Sequence, residues 1–352
     1  MDERNFKLLS KLVETPGLPG REQPVSDLIK SHLSLDSWKV NKDAIGNLIA
    51  RKPGKGPRIM LIAHMDEVGL IVRRITPDGF LQVERLGGIS LQALPGASLD
   101  LWSENEPRIV HVGLPAAHLV HGNEPAIKLE ALYIDASIDS PTKAREAGIR
   151  VGDGLTWHSP LRKTGLGRVT GKALDNRACC YAMIQLADML ADLELECDLF
   201  LAFIVQEECM VLEAAPVVRS VAPEILIGLD GTLTFDTPDT KEPQCDIRLG
   251  NGPCLKIMDV IRGKTAYLPD WQLTQKIRIF MDAQNISYQP EVVVGLSTAV
   301  SLMPFMQLGI KTASISLPIR YHHSPVETID LNDMDATIHL LFRLLAESVL
   351  VS

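Results

Sequence analysis

The chain has 352 residues, 46% of them hydrophobic and 22% charged, which supplies a sizeable core and excludes a chain disordered throughout. Its net charge of −9 argues against nucleic acid and anionic membranes as partners, because both select basic surfaces. No apolar stretch reaches the length of a membrane span, and Met1-Asp2-Glu3-Arg4 opens no signal peptide, so a cytoplasmic protein is expected. The six cysteines, Cys179, Cys180, Cys197, Cys209, Cys245 and Cys254, form no C-x-x-C pair and read as buried free thiols of a reducing compartment.

In chain order, helical spacing runs from Phe6 to Val13 and again from Glu22 to Leu33. Gly46–Ala50 reads as a short strand and Pro57–Ala63 as a buried one ending at His64. From Leu70 to Thr164 short β-like runs alternate with turn signals such as Pro77-Asp78-Gly79, Gly87-Gly88 and Pro95-Gly96, with a helix over Ser140–Gly148. This reads as a small β-rich insertion, residues 70–164, in a larger α/β domain made of residues 1–69 and 165–352. There Ala178–Leu190, Trp271–Asn285 and Met334–Val349 read as helices, and Leu199–Val205, Ile225–Leu229 and Ala313–Leu317 as strands. Strands alternating with helices predict a mostly parallel sheet covered on both faces, with ligands beyond the carboxyl ends of its strands.

Those ends carry the chemistry. His64-Met65-Asp66 follows the first buried strand, Leu174-Asp175-Asn176 opens a helix, Gln206-Glu207-Glu208 follows the next strand, Asp230 ends another, and Tyr321-His322-His323-Ser324-Pro325 follows the last. An H-x-D or E-E pair alone is usually a solvated surface pair. Acids placed directly after buried apolar strands are different, because burying them unpaired is costly. Imidazoles mixed with carboxylates suit zinc, cobalt or manganese better than calcium. Three or more carboxylates beside two imidazoles exceed what one divalent ion needs, whereas two ions sharing a bridging carboxylate would use them all. Alternate residues of an extended chain point the same way, so Asp66 can orient the His64 ring. The neighbours Glu207 and Glu208 diverge, leaving one for a metal and one to act as a base.

These segments resemble the cobalt- or zinc-dependent aminopeptidases of peptidase family M forty-two, which have a zinc-exopeptidase-like fold. The similarity covers Thr15–Glu22, Asp43–Asn47, Ala63–Gly69, Gly171–Arg177, Val205–Glu208 and Arg320–Glu327. It implies two divalent metal ions per subunit, with Asp175 bridging them, His64 and Asp230 completing one site, and Glu208 and His323 the other. It further implies Glu207 as the general base for the attacking water, Asp66 as the partner of His64, a peptide substrate, and an insertion that dimerises the chain into a homodimer or homododecamer. His322 stands where the family has an apolar residue, so the ligand is assigned to His323, with His322 as the alternative. Two segments depart from the family pattern: Cys209–Glu213, which lacks the usual glycines, and Gly295–Val300, where Thr298 replaces an acid. Two other readings remain: a metal-stabilised assembly without peptidase activity, and a glycoside hydrolase, which would need two carboxylates but no metal. Lys172 and Arg177 could orient or pair with carboxylates. His111, His118 and His121 in the insertion read as structural.

Overall fold

The computed structural model describes the chain except residues 105, 117, 119–126, 211, 241–244, 262–264 and 352. Three strands come first: β1 (Lys39–Lys42), β2 (Leu48–Lys52) and β3 (Arg58–His64). Six follow in the insertion: β4 (Gly69–Ile75), β5 (Leu81–Leu86), β6 (Ser98–Trp102), β7 (Arg108–Val112), β8 (Ile134–Asp135) and β9 (Gly154–Trp157). They close into a barrel in the order β4-β5-β8-β7-β6-β9 around a separate apolar cluster that includes Leu70, Val83, Leu101, Ile134 and Trp157. Closure leaves no free sheet edge.

The remaining strands are β10 (Arg162–Gly165), β11 (Arg168–Gly171), β12 (Asp198–Ile204), β13 (Ile225–Leu233), β14 (Cys254–Ile261), β15 (Thr265–Tyr267), β16 (Gln289–Val294), β17 (Lys311–Ile319) and β18 (Glu327–Asp330). The main sheet has the order β1-β2-β12-β3-β13-β17-β14-β15, with β16 beside β14. Its centre, β12-β3-β13-β17, is parallel, and antiparallel pairs flank it on both sides. The β3 sequence shows why the centre is buried on both faces. Ile59, Leu61 and Ala63 enter one apolar cluster, while Met60 and Ile62 enter another across the sheet, as the two-residue strand period requires.

Helices α1 (Glu3–Glu14), α2 (Gln23–Ser31), α4 (Leu174–Leu190), α6 (Trp271–Ala283) and α7 (Leu331–Ala346) feed the first cluster, and α5 (Ala215–Val221) the second. The short helix α3 (Pro141–Glu146) belongs to the insertion. Helix α1 starts where the Asp2 side chain accepts from Asn5 N, and it buries Leu8, Leu9, Leu12 and Val13. It ends ahead of Pro16, which disfavours helical torsions in the preceding residue. No helix among the described residues is long and apolar enough to cross a membrane.

Two sequence expectations change. Asp230 does not end its strand, because β13 continues to Leu233 through its pairing with β17. Strand β3, however, pairs with β13 only as far as Gly228, opposite Ile62, and continuing that register sets Asp230 level with His64 at the carboxyl end of β3. The cysteines are free, but Cys209 is exposed and Cys245 half-buried, since both sit in loops rather than on core elements. Of the insertion's histidines, His111 lies on β7 near the Ser98 hydroxyl, His118 is exposed, and His121 falls outside the described residues.

A buried charge cluster ties β14 to its neighbours. Lys256 Nζ on β14 lies 2.6 Å from Asp259 Oδ2 and 2.9 Å from Glu291 Oε1 on β16, and the Thr232 hydroxyl on β13 donates to the same Glu291 oxygen at 2.8 Å. All three charged side chains are fully buried. Removing one partner of such a group leaves charge uncompensated in a low-dielectric core. Lys256→Met is therefore expected to lower stability by about 3–5 kcal/mol, read from urea unfolding curves beside the parent chain.

Candidate metal centre

His64 is the last residue of β3, and the chain then turns away from the sheet. Met65 N donates to Ile204 O at 2.7 Å and Glu67 N to Gly17 O at 2.9 Å. The intervening Asp66 is completely buried. Its Oδ1 lies 3.4 Å from His64 Nδ1, and its backbone carbonyl 3.2 Å from the same nitrogen. Its two carboxylate oxygens accept from Glu207 N and Glu208 N, each at 3.0 Å. One carboxylate thus aims an imidazole and holds the turn that carries the Glu207-Glu208 pair. That turn follows β12 through Gln206, in the left-handed region at φ 61, whose N–H donates to Glu22 Oε1 at 2.9 Å. Glu207–Cys209 then form one 3₁₀ turn, so the two acids diverge.

Asp175 stands at the start of α4, where it and Asn176 have non-helical torsions. Glu327, at the start of β18, holds two segments at once. Its Oε2 accepts from Asp175 N at 3.0 Å and its Oε1 from His323 N at 2.7 Å. His323 is also fixed from the insertion, with Nδ1 3.1 Å from Gly88 O and its own carbonyl accepting from Ser90 N at 3.1 Å. Only glycine fits at 88, because a Cβ there would lie 2.8 Å from His323 Nδ1. Lys172 and Arg177 leave Asp175 alone. Both turn to the buried Glu67, with Lys172 Nζ at 2.6 Å and Arg177 Nη2 at 3.5 Å.

The predicted residues converge. His64, Asp175, Glu207, Glu208, Asp230 and His323 line one pocket of about 200 Å³, together with Gly88, Cys209, Met210, Gly295, Leu296, Ser297 and His322. Asp66 sits behind it. A larger cleft of about 1140 Å³ near Tyr288, His339 and Arg343 brings together no comparable set, so size does not locate the site. Asp175 is at the centre. Its Oδ1 lies 3.3 Å from His64 Nε2, and its Oδ2 lies 3.2 Å from His323 Nε2 and 3.1 Å from His322 Nε2. Asp230 Oδ1 is 3.5 Å from His64 Nε2, and Glu208 Oε1 is 3.3 Å from His323 Nε2. Two sets of donor atoms converge closely enough to hold an ion each: His64, Asp175 and Asp230, and Asp175, His322 and His323.

The electrostatics call for cations. Burial raises the pKa of Glu207 well above its ordinary value, and Asp230 and Glu208 raise it further against the pull of His64. Burial likewise raises Glu208 and Asp230. Burial opposes the charge of Asp175 too, yet the imidazoles of His322, His323 and His64 outweigh it and hold this carboxyl well below the usual range. Burial would keep His64 and His323 neutral, but their carboxylate neighbours raise both well above 6.5, whereas burial pushes His322 down to about 4. Protons and metal ions compete for such positions. Asp175 Oδ1, Glu208 Oε1 and His322 Nε2 are buried without a hydrogen-bond partner. Buried polar atoms rarely stay unsatisfied, and a divalent ion fits these donors.

The family model for M42 glutamyl aminopeptidase matches residues 46–340. The chain belongs to this family of peptide-bond hydrolases. Among curated proteins, the putative aminopeptidase SgcX of Escherichia coli (strain K12) is 33% identical over 343 residues, covering 96% of this chain and 92% of that protein. Among solved structures, aminopeptidase APDkam598 from the archaeon Desulfurococcus kamchatkensis superposes with a TM-score of 0.90 at 30% identity, covering 98% of this chain and 95% of its own. The TET1 peptidase of Pyrococcus horikoshii, which can assemble into a tetrahedron or a large octahedral shell, gives 0.86 at 28% identity, covering 97% and 98%.

Sequence reasoning assigned no role to Glu327, Glu67 or Gly88. The Gly87-Gly88 pair signalled only a turn, and nothing local to Glu327 marks it as the anchor of two distant backbones. Each departing segment lends some residues to the pocket and buries another. Cys209 and Met210 line the pocket, as do Gly295, Leu296 and Ser297, whereas Thr298 is buried with its N–H on Ser301 Oγ at 2.8 Å. Val211 lies outside the described residues.

Glu213, in the first of these segments, is 6% exposed and has an unpartnered Oε2. Burial pushes its carboxyl up to about 7. The folded chain therefore keeps a proton that the unfolded chain releases near 4.5. Stability then falls as pH rises through that window, by about 1.4 kcal/mol per pH unit for each retained proton. In metal-free protein, Glu213→Gln is expected to match the parent near about pH 4 and exceed its stability near about pH 8, read from denaturant midpoints across the range.

Proposed function

We propose that this chain is a dinuclear metallo-aminopeptidase that releases N-terminal residues from peptides. The observation that carries the reading is Asp175, whose two oxygens face different donor sets, Oδ1 toward His64 and Oδ2 toward His323. A carboxylate placed in this way suits one ion on each side. Asp175 would hold both ions, His64 and Asp230 one of them, and Glu208 and His323 the other. Zinc or cobalt, with manganese as a third option, fits the mixed imidazole and carboxylate donors. Such a pair supplies Lewis acidity that activates water and polarises a carbonyl.

The chain's own groups do the rest. Glu207 lines the pocket with its carboxyl pKa raised by burial. It takes the proton of the attacking water and delivers it to the leaving amine. Asp66 holds the His64 ring and the Glu207-Glu208 turn in register, so that acid, base and ligand keep fixed spacings. The enzyme works in the cytoplasm, where its free thiols stay reduced. Residues 1–69 and 165–352 form the catalytic part. Residues 70–164 form the dimerisation domain, which also lends Gly88 to the placement of His323. The assembly is a homodimer or a homododecamer, a reading supported by the shells of the TET1 relative.

Two measurements test this. Glu207→Gln should lower kcat on aminoacyl-p-nitroanilides by about 10²–10⁴-fold while metal content stays at the parent level; parent-like turnover would remove Glu207 from the base role. Exhaustive EDTA treatment should abolish peptidase activity, and zinc, cobalt or manganese should restore it. Glycoside hydrolysis that survives chelation would instead fit a glycosidase-type pair of carboxylates, which works without metal.

A further inference from the structure

We propose that His322 is a third imidazole ligand of the metal pair, binding through Nε2 the ion held by Glu208 and His323. The inference rests on the dinuclear reading above and adds a donor to it. His322 is the residue at which this chain departs from the apolar side chain expected before the ligand histidine.

Four observations converge. The side chain is 9% exposed, and its Nε2 lies 3.1 Å from Asp175 Oδ2, the oxygen that His323 Nε2 approaches at 3.2 Å. Despite that distance, Nε2 makes no hydrogen bond to this oxygen and has no other partner. A buried nitrogen that faces a carboxylate oxygen without bonding to it is placed as a co-ligand would be. Secondly, the backbone is shaped so that both rings can reach one carboxylate. Neighbouring side chains of an extended segment point to opposite sides. Here Tyr321 and His323 adopt left-handed torsions, φ 57 and φ 61, and the rings of His322 and His323 stand 4.5 Å apart at 37°. Thirdly, the ligand atoms of Asp175, His322 and His323 all lie within 4.8 Å of one another. Finally, room is kept for the nitrogen. A Cβ at Gly231, next to the ligand Asp230, would fall 2.9 Å from His322 Nε2 and 3.1 Å from Asp175 Oδ1.

The chemical consequence is an asymmetric pair. The His64 side offers one imidazole with two carboxylates. The His323 side offers two imidazoles with two carboxylates. Added imidazole favours zinc, cobalt and nickel over the oxygen-seeking manganese and magnesium. The ion on the His322 side is therefore the one this chain retains more tightly.

The test uses the full-length zinc-loaded enzyme and reads metal rather than turnover. X-ray absorption at the zinc edge should fit three imidazoles over two zinc ions in the parent and two over two in His322→Leu and His322→Gln. In chelator competition the tighter zinc site of either variant should weaken by at least about tenfold, the low end of what even an outer-shell partner of a metal ligand costs, while the weaker site holds. Two imidazoles over two zinc ions in the parent, unchanged in the variants, would overturn the inference and leave the dinuclear reading standing. A parent that takes up only one zinc would overturn both. Should one variant misfold by circular dichroism, the parent's imidazole count still decides the question.

Discussion

Four carboxylates, those of Asp175, Glu207, Glu208 and Asp230, are drawn into one pocket at the carboxyl end of a parallel sheet, and their mutual repulsion is the constraint on which the rest of the structure depends. Like charges this close in a low-dielectric interior cannot all stay ionised without cations. The shifts divide accordingly: three of the four acids are pushed toward the protonated form, while Asp175, ringed by imidazoles, is held ionised. Metal ions bound there would replace those protons, and their binding would then become part of the folded state's stability.

Repulsion of this kind would splay loose side chains, so the ligands are clamped by their backbones. Two further buried carboxylates do this without entering the pocket, and a third braces the chain beside it. Asp66 holds the Glu207-Glu208 turn, Glu327 holds Asp175 and His323, and Glu67 gathers Lys172, Arg177 and the Gly17 backbone. Each bond is a backbone N–H or a cation given to a carboxylate, the stronger class of hydrogen bond. The insertion takes part in the same way through Gly88 and Ser90 on His323. The barrel is thus bonded to a residue of the site rather than merely tethered to its domain.

Much of this was legible in the sequence because two periodicities are strong there. Continuous apolar runs such as Ile59–Ala63 and Leu199–Ile204 mark strands buried on both faces, and an acid or imidazole directly after them has no bland place to go. The clamps were not legible for the opposite reason. Glu327 bonds Asp175 across 152 positions and Gly88 meets His323 across 235, separations at which a single sequence carries no period. Asp230 was placed at a strand end because the apolar run stops at Leu229. The strand continues because pairing with β17, rather than side-chain polarity, decides where it ends. The outer strands escaped notice similarly. Strand β16, which runs parallel to β14, alternates buried and exposed residues from Gln289 to Val294, yet six residues are too few for that pattern to stand out in a sequence.

The same division separates chemistry from selectivity. His64, Asp175 and Asp230 sit on or beside central sheet strands and the helix α4, where packing on both faces fixes them. The pocket's other walls, Cys209, Met210, Leu296 and Ser297, come from loops, which tolerate change without disturbing the sheet. Both segments that differ from the pattern expected on resemblance lend residues to those walls. Thr298 does not line the pocket: it is buried, with its N–H and its hydroxyl both on Ser301 Oγ. His322 lies on the other side of that division. It changes the donor set itself, and the Gly231 backbone beside Asp230 leaves space for it. On the proposed reading, the pocket walls would bear on which peptide is bound, whereas His322 would bear on which metal is held and how firmly.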